Sequence, residues 1–101
     1  LALWVQALFG SSILSEDSME QMLTFTDSDI EYLGYEVRVG LGMMTIEHPK
    51  LGEIYGFTGQ YEGYSSFMVY LPGRDIVIVV LMNQSYPNMS FFENLLEVVV
   101  N

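Results

Sequence analysis

The chain has 101 residues, enough for one domain at most, and that domain would bury roughly two-thirds of the surface its unfolded chain exposes. Thirteen acids face only Arg38, Lys50 and Arg74, for a net charge of -10, which argues against nucleic acid and anionic membrane surfaces as partners. Half the residues are hydrophobic and mean hydropathy is +0.30, rich for so small a chain, so some apolar faces are expected to meet another segment or subunit.

With no cysteine, disulfides and thiolate metal sites are excluded. The longest purely apolar run, Ile76 to Met82, is far too short to span a membrane. No basic segment precedes the apolar start, so no signal peptide is visible. A helical pattern already open at Leu1 is expected of a trimmed chain.

Leu1, Trp4, Val5 and Leu8 fall at helical spacing, with Gly10 placed to end the helix. Ser15 followed by Glu16 and Asp17 reads as the N-cap of a second helix with an apolar stripe of Met19, Met22 and Leu23. Asp27-Ser28-Asp29 reads as a polar break without the loop glycine or later glutamate of a calcium loop. Tyr35, Val37 and Val39 alternate with Glu36 and Arg38 as in a half-buried strand, and Met43 to Glu47 continues or restarts a strand. His48 to Gly52 is a turn, Ile54 to Thr58 leads into a glycine-rich bend, and Tyr64 to Leu71 is a strand closed by Pro72-Gly73. Ile76 to Met82 is continuously apolar, which predicts cover on both faces. Ser90-Phe91-Phe92-Glu93 has the spacing of a capping box and opens a last helix through Leu95, Leu96 and Val99. The order is helix, helix, antiparallel strands, helix.

Few residues offer chemistry. His48, the only histidine, sits beside Pro49 in a polar turn and reads as a solvated turn residue rather than a ligand or base. No serine has a lysine three residues later, and there is no Gly-x-Ser-x-Gly elbow, so no nucleophile–base pair is present. Tyr86-Pro87-Asn88 imitates a Tyr-x-Asn motif but reads as a proline turn before the last helix. Gly56, Gly59 and Gly63 have two readings: bulges in strands, or places where a ligand approaches the backbone.

Three groups of segments carry a resemblance in their order and spacing. Leu1 to Leu8 with Ile13 to Met22 form the first, and Tyr32-Leu33-Gly34-Tyr35 the second. The third is Gly56-Phe57-Thr58-Gly59-Gln60 through Gly63-Tyr64-Ser65-Ser66 to Pro72-Gly73-Arg74-Asp75. Together they resemble the C-terminal part of the penicillin-recognising serine hydrolases: class C β-lactamases, D-alanyl-D-alanine carboxypeptidases, penicillin-binding proteins and related esterases. The resemblance implies an α/β arrangement of the α+β type, an antiparallel sheet flanked by helices, with residues 1–101 a single partial domain. It also implies a periplasmic or secreted setting, no cofactor and no metal.

By that resemblance, Phe57-Thr58-Gly59 stands where the family carries its Lys-Thr-Gly or His-Thr-Gly triplet. The Thr58 hydroxyl would then bind the substrate carboxylate or acyl side. Gly59 would let substrate lie on the strand, and the Gln60 N–H would be one of two oxyanion donors. Phe57 departs from the pattern by placing an apolar ring where a cation or titratable group stands. The implied function is the C-terminal part of an acyl-transfer site, inactive alone, acting on a small acyl or peptide substrate once joined to a missing N-terminal part or self-associated. The alternative is a degenerate, non-catalytic binding or interaction module. A Ser-x-x-Lys and a Tyr-x-Asn upstream of Leu1 would favour the enzyme.

Overall fold

The structure is a computed structural model that describes residues 1–85 and 88–100, the side chain of Met89 excepted. Two helices come first, α1 (Ala2–Phe9) and α2 (Glu16–Met22). Six strands follow: β1 (Thr26–Tyr32), β2 (Tyr35–Val39), β3 (Met44–His48), β4 (Gly52–Tyr61), β5 (Tyr64–Leu71) and β6 (Ile76–Met82). The last helix, α3, spans Met89–Val100. Every strand pairs antiparallel with its sequence neighbour, giving the sheet order β1-β2-β3-β4-β5-β6. The result is an α+β fold, as the sequence implied.

Alternation decides which face each side chain serves. Phe67, Val69 and Leu71 of β5 and Ile78 of β6 are buried on one face, where Phe92 and Leu96 of α3 complete the core. The Phe67 and Phe92 rings meet edge to face at 5.7 Å. On the other face, Phe9 at the end of α1 stacks on Tyr70 at 4.4 Å and on Tyr55 at 5.9 Å. β6 is covered less than its apolar run predicts: only Ile78 is fully buried, Ile76, Val80 and Met82 pack partly buried against the α3-side core, and on the α1 side Leu81 is 72% exposed.

Several local expectations are corrected. In α1, Val5 and Leu8 are buried, but Leu1 and Trp4 face outward, because Phe9 takes the packing position against the sheet tyrosines. Gly10 keeps a negative φ, and Ser11 supplies the left-handed residue instead. Ser15 caps α2 through its hydroxyl, accepting from the Ser18 N–H at 3.2 Å. Met19, Met22 and Leu23 are only half-buried. Asp27-Ser28-Asp29 is part of β1, where the Ser28 hydroxyl bonds the Val37 carbonyl and holds an irregular stretch to β2. The glycine-rich bend is instead one continuous ten-residue strand, β4, and the chain reverses at Glu62-Gly63, where Gly63 takes φ +79.

The last helix is capped two residues earlier than the capping box predicts: the Asn88 side chain accepts from the Phe91 N–H at 2.8 Å. Tyr86 and Pro87 lie outside the described residues. Glu93 does not return to its own helix end. Its carboxylate accepts from the Tyr35 hydroxyl and from His48 Nε2, the latter at 2.9 Å. His48 is thus a buried residue, not a solvated one. Its Nδ1 accepts from the Lys50 and Leu51 N–H groups, so Nε2 carries the proton and donates. The cluster ties α3 to β2 and to the end of β3.

Candidate functional site

The site is built by unequal strand lengths. β3 reaches only as far as Met44, which pairs with Gly56. Before Met44 the chain turns away, with the Gly40 N–H donating to the Met43 carbonyl at 2.8 Å. β4 runs on to Tyr61, paired with β5 from Tyr55 to Tyr61. Residues Phe57 to Tyr61 therefore have a strand on one side only, and alternate backbone groups along their outer edge have no ladder partner.

Phe57, Thr58, Gly59 and Gln60 are consecutive on that free edge. Phe57 and Gly59 point to the α1 face, while Thr58 and Gln60 point to the α3 face opposite Phe67 and Ser65. The Phe57 ring is 45% exposed. Thr58 is half-buried and borders a small cavity of about 40 Å³ formed with Ile54, Gly56, Phe67 and Phe92 among others. Two glycines let β5 lie close against the strand there. A Cβ on Gly56 would stand 2.4 Å from the Met68 carbonyl oxygen, and one on Gly59 would stand 2.8 Å from the Ser66 hydroxyl.

The tip of the β4–β5 hairpin is fastened to the segment after β6. The Gln60 side-chain amide donates to the Ser85 carbonyl, the Gly63 N–H donates to the Ser85 hydroxyl at 2.8 Å, and the Ser65 hydroxyl donates to the Gln84 carbonyl at 2.5 Å. An open cleft of about 340 Å³ lies beside this tip, lined by Gly59, Gln60, Tyr61, Tyr64, Ser66 and Leu81 among others. Its tyrosines are 78% and 61% exposed, so its walls are aromatic.

No cation serves the site. Arg38 pairs with Glu53 at 3.2 Å on the α1 face. Lys50 and Arg74 border a different cleft, with His48 and Glu93, under α3. About 17 Å of extended strand separates Gly52, beside Lys50, from Phe57. No group of three metal-ligating side chains occurs among the described residues, and no helix there is long and apolar enough to cross a membrane.

The perturbed ionisations lie away from the triplet. Bonds from His48 and Tyr35 hold the Glu93 carboxyl below its ordinary value. Burial, reinforced by Glu93, pushes the Tyr35 hydroxyl up to about 12. The His48–Glu93–Tyr35 cluster is what sequence reasoning missed, because its members are 45 and 58 residues apart and no local pattern joins them. With both ring nitrogens bonded, His48 has no free position for proton transfer and serves to hold α3.

A family model described as Beta-lactamase matches residues 1–99. No curated protein and no solved structure matches the chain.

Proposed function

The chain belongs to the Beta-lactamase family, and we propose that it supplies the substrate-edge strand of a serine-hydrolase acyl-transfer site and is inactive alone. The observation that carries this reading is the one-sided pairing of Phe57 to Tyr61, in register with a triplet of the family's type. An extended acyl or peptide substrate adds to such an edge by main-chain hydrogen bonds. Gly59 leaves room for it, Thr58 offers a hydroxyl, and the Gln60 N–H is the oxyanion donor. The second donor, the nucleophile and its base come from a segment that precedes this one in the same domain. Phe57 tilts the substrate class toward neutral acyl groups, because an apolar ring neither attracts a carboxylate nor carries a proton.

A second reading is favoured by a specific observation. Phe57, Tyr61, Tyr64 and Leu81 are all well exposed near one end of the sheet, which suits a non-catalytic module that binds a partner through aromatic contacts.

The test is labelling of the chain with a fluorophosphonate and a penicillin probe, with turnover of a chromogenic β-lactam and a short ester measured in parallel. The expected result is no labelling and no turnover. Stoichiometric labelling of any serine in this chain overturns the claim of inactivity. Amide shifts at Thr58, Gly59 and Gln60 on titration with a short N-acyl amide support the substrate edge. Shifts confined to Tyr61 and Tyr64 would favour the binding module.

A further inference from the structure

Gln60 and Ser65 face each other across the β4–β5 ladder, on the α3 side of the sheet. Their side chains reach two consecutive carbonyls of the segment after β6: the Ser65 hydroxyl donates to Gln84 at 2.5 Å, and the Gln60 amide donates to Ser85. The Ser85 hydroxyl closes a third bond by accepting from the Gly63 N–H in the turn at 2.8 Å. Ser65 is only 6% exposed, so its bond to Gln84 stands in for water that it cannot reach. One segment thus grips β4, β5 and the turn between them.

We propose that Ser85 is a positioning residue for the substrate edge: it holds Gln60 so that the Gln60 backbone N–H stands ready for a developing oxyanion. This inference rests on the substrate-edge reading above. Phe57 to Tyr61 has a strand on one side only, so β5 alone leaves this end of the hairpin free to pivot. A donor that drifts stabilises charge poorly, because an oxyanion hole works by fixing its donors before the charge appears. Gln60 carries that donor on its backbone and the tie on its own side chain, so the bond to Ser85 restrains the donor residue itself.

The tie leads back to the core. Shortly after Ser85, Asn88 caps α3 by accepting from the Phe91 N–H. Phe92 and Leu96 of that helix are buried against the sheet, and Glu93 bonds Tyr35 and His48. Ser85 therefore connects the open edge to a helix anchored in the packed part of the molecule. All the bonded groups lie within this chain, so the latch forms without the segment that precedes it in the domain. It also lies on the α3 side, away from Phe57 and Gly59, and leaves the outer edge of β4 clear for substrate.

Three variants separate positioning from plain stability. Ser85→Ala removes the acceptor of the Gly63 bond, Gln60→Met removes the donor to the Ser85 carbonyl, and Ser85→Thr keeps a hydroxyl. In the wild-type chain, NMR relaxation should give the Gln60 backbone an order parameter of about 0.85, that of rigid backbone. Ser85→Ala and Gln60→Met should lower it at Gly59 and Gln60 and leave Ile54 unchanged. A short N-acyl amide should bind these two variants roughly three- to tenfold more weakly than the wild type, with urea midpoints little changed. Ser85→Thr should bind it as the wild type does. Weakening that tracks a fall in the urea midpoint makes the ties merely structural and overturns the proposal. An edge equally ordered in all four proteins overturns it, as does Ser85→Thr binding as weakly as Ser85→Ala. If the edge loosens as expected but the wild type shows no ligand shift at Thr58, Gly59 or Gln60, the substrate-edge reading itself fails, and the role of Ser85 falls with it.

Discussion

The two halves of β4 lie on one strand and live in different environments. Gly52 to Gly56 is held between β3 and β5, and Ile54 packs in the core that α3 covers. Phe57 to Tyr61 has β5 on one side and an open edge on the other. The fully buried residue of β4, Ile54, belongs to the first half, whereas Phe57, Thr58, Gly59 and Gln60 belong to the second and none of them is fully buried. If Phe57 to Gln60 bind substrate as proposed, a half paired on both sides positions an edge paired on one, which would keep the binding strand both fixed and accessible.

The largest effect should come from the packed half. Phe92 is 2% exposed and its ring meets both Phe67 and Tyr35. Phe92→Ala should cost about 3–5 kcal/mol, the usual range for a buried aromatic ring. Urea denaturation reads this directly. A loss under about 1 kcal/mol would mean that α3 does not anchor the sheet and that the comparison fails at its stronger end.

Gly56 marks the boundary between the halves. A Cβ there meets the Met68 carbonyl oxygen at 2.4 Å and Val69 Cγ1 at 2.9 Å, and backbone cannot rotate away. Gly56→Ala should destabilise by about 1–3 kcal/mol, as overpacking does, and should shift β4–β5 amide resonances around Thr58. Unperturbed resonances there would sharpen the boundary to a point beyond Gly56.

The polar cluster predicts how the packed half responds to pH. The folded-state pKa of Glu93 lies below its unfolded value. Its contribution is therefore complete above the ordinary carboxylate range and is lost as pH falls through the depressed value. Tyr35 is the reverse: raised to about 12, it contributes below its ordinary value of 10.0 and is lost as pH rises between the two. The Glu93 side chain is 36% exposed, so Glu93→Gln should cost only about 1 kcal/mol at neutral pH, after discounting for solvent screening. Thermal melts should show the wild type losing its advantage over Glu93→Gln in acid. Parallel acid limbs for the two proteins would remove Glu93 as the cause.

Much of this was legible in the sequence because it is local. Period-two alternation marked β2, and the bounds of β5 and β6 follow from hydrophobic runs closed by Pro72-Gly73 and Gly63. The expectation that Phe57-Thr58-Gly59 is a substrate triplet rests on resemblance alone, since glycine spacing by itself favours a bulge. What stayed hidden depends on contacts distant in sequence. His48 looked solvated because its neighbours are polar, but its partner comes from α3. Glu93 fitted a capping box by spacing, yet a tyrosine and a histidine across the core outcompete its own helix end. The open edge of β4 could not be read at all, because it depends on where β3 stops.

The smallest expected effect is the sharpest test of the comparison, because it sets two glycines of one strand against each other. Gly59 lies three residues beyond Gly56, in the open half. A Cβ on Gly59 meets a single atom within 4 Å, the Ser66 hydroxyl oxygen at 2.8 Å. That atom ends a rotatable side chain and can move at little cost. Replacing glycine by alanine in a strand also recovers roughly 0.5–1 kcal/mol of backbone entropy. Gly59→Ala should therefore leave stability within about 0.5 kcal/mol of the wild type, while Gly56→Ala does not. Denaturation midpoints of the two variants, measured side by side, decide the matter. Equal losses would mean that the outer half of β4 is packed as tightly as the inner half, and that its edge is not free to receive a substrate.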